Sequence, residues 1–482
     1  MDTLPHELLV DIYRLINNKD IFTTGKMTSL ISRFMLHQSI FMRTLPENLP
    51  KNTIALSIIS EMNNDVKLPK QLKYLDFIPN GAINCIIPKN IFTLFEHGND
   101  SIEDQFQQFP KLIKFSTENE NITSFPKTIL HLKIPAVSCN CRKIEYPPHL
   151  KYLTCGSCSN CHMIPTRLPT TISHLKLNSY FNQEVFDWPQ FIINLQFTID
   201  YDYNIDQFPP FLTYLSTSLD NYKKIKSLPI HLTHLTIKGH FRFGKIYTIE
   251  NIPKTIKNFK MRTCYKTQIN HLPNLTTLII EQDISNISKL PSSVKKLSLE
   301  YVTSLNADFL ISVSKSSITH LSIPHDSQII MKIVFDQFPS MKTLTYLKIY
   351  YNDLYIKQLP PNLTHILSNR FCNKYDIESS KITHMDVDDH NRKFPSTLIY
   401  LTLRHRSFVH ELAPFPSGLK YLKFIHGYHL ESLPSLPNLT HLTIINIDNI
   451  SFEFPKSLIH LKISIKHIDK VPKHIKLVIF VS

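Results

Sequence analysis

Six side chains able to bind a soft metal crowd between residues 139 and 162: Cys139 and Cys141, then Cys155, Cys158, Cys161 and His162 in "TCGSCSNCHMIP". A Cys-x-Cys pair followed by Cys-x-x-Cys is thiolate spacing that a tetrahedral zinc ion accepts, and Cys139, Cys141, Cys158 and Cys161 are the candidate ligands. The other reading is that they are small hydrophobes in a reducing compartment, Cys155 being a buried strand residue and Cys158 a turn residue. The chain also holds 24 histidines. A catalytic site needs a nucleophile, a base and an orienting group that differ from their surroundings, whereas most of these histidines recur at one position of a pattern. No phosphate-binding glycine loop, His-Glu-x-x-His helix or nucleophile elbow is present. The expectation is a protein without catalytic residues or a cofactor.

That pattern is a repeat, visible in "FPKTILHLKI" at 125–134 and "FPKSLIHLKI" at 454–463. Its unit is proline, two residues, an aliphatic, two residues, a second aliphatic, one residue and a third apolar residue. Fifteen prolines begin an intact copy: Pro69, Pro88, Pro126, Pro147, Pro169, Pro189, Pro209, Pro229, Pro253, Pro291, Pro360, Pro395, Pro416, Pro455 and Pro472. Pro110, Pro273 and Pro437 begin copies one residue short, and Pro50 and Pro339 begin stretched ones. Two more, "SITHLSI" at 317 and "KITHMDV" at 381, lack the proline, which makes 22 units in all. The apolar positions six and eight after proline alternate, so each unit holds a short strand with one buried face. Proline has no N–H for a ladder and therefore marks the turn into the strand. About ten residues then return to the next strand, and these returns are expected to be extended or irregular. One unit cannot bury its own apolar residues, but stacked units bury them against one another. The predicted fold is a β-rich solenoid of 20–22 repeats with one continuous parallel sheet, a curved body on the order of 100 Å long at ~4.8 Å per strand.

The alternation also predicts two columns on the outward sheet face. Five residues after proline stand mostly His and Tyr: Tyr74, His131, Tyr152, His174, Tyr214, His234, His365, Tyr400, Tyr421 and His460, joined by His320, Tyr346, His384 and His441 from irregular units. Two residues later stand Lys, Thr or Ser, among them Lys133, Thr154, Lys176, Lys348, Lys423, Thr443 and Lys462. Rings at equal heights on adjacent strands stack and stabilise the sheet. The same rows also form a long polar, aromatic and cationic surface for a protein partner. Both readings are open at this level.

The repeat resembles a known family. "SYFNQEVFDWPQFIINLQF" at 179–197 is similar to an FNIP repeat, and the many [LF]P-x-x-L-x-x-L cores resemble the rest of that array, over roughly residues 45–482. The resemblance implies a leucine-rich-repeat-like solenoid. Residues 1–43 lie outside the repeat. Leu8, Leu9, Ile12, Leu15 and Ile16 form one apolar helical stripe, and Met27, Leu30, Ile31, Phe34 and Met35 a second, with the turn "NNKD" between them. "LPHELLVDIYRLI" with "KDIFTTGKMTSLISRFMLHQS" behind it resembles an F-box, with Leu4, Pro5, Glu7, Leu8, Ile12, Leu15, Asp20, Ile21 and Phe34 at matching positions. That resemblance implies that these helices, Leu9 included, dock on the small adaptor subunit of a cullin–RING (SCF-type) ubiquitin ligase, while the repeats hold a target protein. The alternative is a helical cap that shields the first repeat. The expected division is a helical module over 1–43 and a repeat solenoid over 44–482.

Net charge is +14. Such a charge attracts nucleic acid, an acidic lipid surface or an acidic protein, or simply serves solubility; lysines are spread over the whole length without a dense basic block, so nucleic-acid binding is the weaker expectation. No run approaches the length that spans a bilayer, and the first residues lack a signal-peptide pattern. An intracellular, cytoplasmic protein is expected, in a host cytoplasm if the source is viral. The expected function is ligase substrate recognition, with a non-ligase protein-binding scaffold as the alternative.

Overall fold

The computed structural model describes strands at His37–Ile40 and Ala55–Glu61 and then, from Leu68 to Val481, the strands, most of the turns leading into them and parts of the returns. Residues 1–36, 41–54 and most return residues lie outside the described residues. Each of the 22 units supplies one strand, from β2 (Ala55–Glu61) to β25 (Leu477–Val481), and all pair in parallel with the units before and after. The turn is uniform. The N–H three residues after proline donates to the proline carbonyl, as in Ile129 to Pro126 at 3.2 Å and Leu458 to Pro455 at 3.0 Å. Two successive N–H groups then share one carbonyl of the preceding unit: Lys151 and Tyr152 both donate to the Leu130 oxygen, at 2.9 and 3.0 Å. Side chains at the second turn position tie units together in the same way. Thr128, Thr255, Thr397 and Ser457 donate to the carbonyls of Leu112, Leu232, Ile382 and Leu439 at 2.6–2.8 Å.

The three apolar positions of the unit make the core. Ile129, Leu132 and Ile134 are 0–4% exposed, as are Leu458, Leu461 and Ile463, and one hydrophobic cluster runs from Leu68 to Ile475. Such a stack has no redundancy, since each rung fills the gap between two others. Leu278 on β15 (Thr277–Ile280) is fully buried. Leu278→Ala is expected to cost about 2–5 kcal/mol in chemical denaturation, as lost transfer energy plus cavity, and a loss below ~1 kcal/mol would mean that the rungs relax independently.

The sheet has 23 strands, one more than the units counted. The extra strand, β1 (His37–Ile40), has no proline before it and lies in the segment expected to be helical. It pairs with β2 on one side and with β25 on the other, Ser39 opposite Val481. The solenoid therefore does not end. It closes into a ring, where the sequence led us to expect an open curved body. From Ser39 the registers run strand to strand round the ring, through Ser57 and Asp76 on one side and Thr443 and Lys462 on the other, to Ile479. The closing pair meets Val481, two residues further on. A stagger this small over 23 strands means a strand tilt of about 3°, against the usual 35–45° of barrels. With strands ~4.8 Å apart, the backbone circle is about 35 Å across.

The sheet lines the inside of this circle. On the return side the described pairings are local: a two-stranded sheet of β12 (Tyr247–Ile249) with β14 (Tyr265–Thr267), bridges at Ser124–Glu145 and Ile205–Ile225, and the extension of one strand pair from Ile425–Ile445 to Leu430–Ile450. The layer bonded continuously from unit to unit is the more closely spaced, and in a ring that is the inner one. Among the described residues the returns also hold an α-helix, α1 (Ala307–Ser314), with Phe309, Leu310 and Val313 buried, and helices are wider than strands. That helix departs from the expected irregular return, because its apolar run is too short to show a period by itself.

Candidate functional site

Since the core positions face outward to the returns, residues five and seven after proline face the lumen. The ring positions stack. Between β19 (His365–Ser368) and β24 (His460–Ser464), His365, His384, Tyr400, Tyr421, His441 and His460 follow one another at centroid distances of 4.0, 4.1, 4.0, 4.3 and 4.2 Å. A second stack joins His131, Tyr152 and His174 at 3.8 and 4.2 Å. His320 and Tyr346 stack at 5.2 Å, whereas Tyr214 and His234 are tilted at 5.9 Å. The predicted columns are thus present, and eleven of the fourteen His and Tyr positions lie in stacks.

Burial favours the neutral imidazole at His131, His174, His234, His320, His365, His384 and His441. Burial first, then the charges of Lys114 and His174, pushes His131 down to about 3. Burial and His365 push His384 down to about 4, and burial and His460 do the same for His441. Most of these histidines have a partner that sequence reading missed. A hydroxyl precedes His174, His234, His320, His365, His384 and His441, and each Ser or Thr oxygen lies 2.8–2.9 Å from the following Nδ1. The recurring Thr-His and Ser-His dipeptides were the available signal.

The row two residues further on carries the charge. On three successive strands Lys133, Thr154 and Lys176 stand opposite one another, and Lys423, Thr443 and Lys462 repeat that arrangement. Lys133 and Lys176 are exposed, while Lys423 and Lys462 are half-buried. Burial lowers Lys462, helped by the Lys423 charge; burial also lowers Lys423, although Asp386 opposes it. Lys114, one strand from Lys133, falls to about 8 by burial and by the Lys133 charge, with its Nζ 5.1 Å from the Phe95 ring centroid. Two carboxylates on this face are matched internally. Asp386 takes a bidentate contact from Arg404, at 2.5 and 2.6 Å, and Glu281 pairs with Lys260 at 2.5 Å.

The expected zinc ligands Cys139, Cys141, Cys158 and Cys161 lie outside the described residues, as do Leu4, Pro5, Leu8, Leu9, Ile12, Leu15, Ile21 and Phe34 of the docking segment. Cys155 is a buried strand thiol raised to about 12 by burial, and so is not a nucleophile. Among the described residues no group of three or more His, Cys, Asp and Glu could hold a metal ion, and no helix is long and apolar enough to cross a membrane.

No protein-family model matches the chain, and no curated protein matches it. Among solved structures it is similar in fold to CroV588, a circular LRR protein, at 20% identity and a TM-score of 0.43, over 92% of this chain and 78% of that one. YopM from Yersinia enterocolitica WA-314 is similar at 16% identity and a TM-score of 0.35, over 95% and 98%. TLR13 in its complex with ssRNA13 is similar at 15% identity and a TM-score of 0.37, over 92% and 72%.

Proposed function

We propose that this protein is a protein-binding ring whose inner sheet face takes a target polypeptide, and that it serves as a substrate-recognition adaptor of a cullin–RING ubiquitin ligase. The observation that carries the binding reading is the inner face itself: rows of hydroxyls, cations and ring edges, interrupted by Phe95, Ile279 and Leu367, with no covering layer among the described residues. Solenoids use such surfaces because many equivalent positions spread the contact over length. The ligase part rests on the F-box-like residues 1–43. A second reading, a scaffold without a ligase link, is favoured by one observation. His37–Ile40 in that segment is a strand of the ring, so the segment has a structural task of its own.

The test uses the full chain and the purified small adaptor subunit of the ligase. Capture is expected, and Leu8→Asp with Ile12→Asp should reduce it more than tenfold with the melting temperature unchanged. No capture by the intact chain rejects the adaptor role and leaves the scaffold. The binding face is tested separately with a photo-crosslinking residue at Thr402, on the inner face, or at Lys127, on a turn. Protein is expected to be trapped from Thr402 and not from Lys127; the reverse would move the site to the outer surface.

A further inference from the structure

We propose that the partner is an extended acidic polypeptide segment, held at two cationic stations of the inner face: Lys133, Thr154 and Lys176 on β6 (His131–Ala136), β7 (Tyr152–Gly156) and β8 (His174–Leu177), and Lys423, Thr443 and Lys462 on β22 (Tyr421–Leu430), β23 (His441–Ile450) and β24. The assignment rests on the reading that the inner face binds protein. In both stations two lysines flank a threonine on the strand between, so their Cα atoms are about 10 Å apart. Below each row lies a three-ring stack, His131–Tyr152–His174 in one and Tyr421–His441–His460 in the other. Coincidence of both rows in both places marks a recurring arrangement.

Charge complementarity sets the sign of the occupant. Asp386 and Glu281 are already engaged by Arg404 and Lys260. Among the described residues no carboxylate lies in an ion pair with Lys133, Lys176 or Lys462. Lys423 and Lys462 repel each other in a half-buried setting; Asp386, two strands from Lys423, eases this only at Lys423, and an incoming carboxylate relieves it at both. The anion is a peptide and not a nucleic acid because of the rings. Single-stranded nucleic acid is held by bases stacked on free aromatic faces. Here the inner members of each stack, such as Tyr152 and His441, have both faces covered by neighbours about 4 Å away and turn only edges to the lumen. Edges and hydroxyls suit carboxylates and peptide amides, and a lumen about 25 Å wide, after ~5 Å of side chain on each wall, admits an extended chain from either end.

The test is fluorescence anisotropy with the intact protein and a labelled peptide of alternating glutamate and serine. Binding is expected to weaken with salt and to vanish when glutamine replaces glutamate. Lys133→Gln with Lys176→Gln, and separately Lys423→Gln with Lys462→Gln, should each weaken it about tenfold, while the matching Lys→Arg pairs keep it. The first pair is solvent-exposed, so its replacement leaves the fold intact even if the second does not. Equal affinity of the glutamine peptide, indifference to both lysine pairs, or tighter binding of oligouridine would each overturn the assignment. If the Thr402 crosslinker still traps protein while the glutamate peptide fails to bind, the acidic-partner inference alone falls; if neither gives a signal, the protein-binding reading falls with it.

Discussion

Removal of Leu477–Ser482 is expected to turn a monodisperse ring into an open, self-associating arc. β25 is the joint, with five registered pairs to β24 on one side and Ser39 opposite Val481 on the other. Ladder hydrogen bonds contribute about 1 kcal/mol each, so the deletion forfeits on the order of 5 kcal/mol. The larger consequence is topological. A closed sheet has no edges, whereas the truncated one has two, at β24 and β1, each a row of unpaired donors and acceptors ready to pair with another chain. Small-angle scattering should show a larger radius of gyration, and light scattering a mass that grows with concentration. A truncated protein that stays monomeric at unchanged size would show that the ring is held by something other than its last strand.

The strands were legible because proline, the turn and the apolar alternation are local and repeat in phase; each of the 22 proline-frame units has its strand in the sheet. Closure was not legible. Curvature per unit is set by the difference in width between an inner layer at strand spacing and an outer layer of returns, and returns as different as α1 and the strands β12 and β14 share no pattern that fixes that width. β1 was missed for a related reason: "HQSI" carries neither the proline nor the apolar spacing, and it is a strand because both neighbours offer it an edge. On the site, the His/Tyr and Lys/Thr columns were legible from period two alone. Whether the rings stack or stand free was not, since that depends on twist. Ordinary sheets rotate about 20–25° per strand, and such rotation accumulated round the circle would prevent closure at so small a stagger. Flat sheets are held by side-chain ladders. Rings lying within 9–15° of parallel, from His365 through His384 and Tyr400 to Tyr421, are such a ladder. The stack and the ring are therefore one structural device, and the lysine row stands on it.

It follows that acid should loosen the molecule well before its carboxylates titrate. In the unfolded chain histidine takes its proton near pH 6.5, whereas in the folded chain His384 and His441 take theirs near 4 and His131 near 3. Between these values the unfolded state binds more protons, so the contribution of these rings is fully present above pH 6.5 and declines as the pH falls toward 4. A protonated ring in the stack also faces the positive charge of its neighbours, His365 beside His384, His460 beside His441, and Lys114 and His174 around His131. His131, the most buried, is worth on the order of 3 kcal/mol over the window, and the half-exposed His384 and His441, screened by solvent, about 1 kcal/mol each. The denaturation midpoint should be level above pH 7 and fall steadily between pH 6.5 and 5. Tyrosine already fills this column at Tyr152, Tyr400 and Tyr421, so His131→Tyr, His384→Tyr and His441→Tyr together should keep the stack and flatten that slope. A wild-type midpoint that does not change between pH 7.5 and 5 would mean that the imidazoles are not held neutral by the ladder, and the account of how the ring stays flat enough to close would go with it.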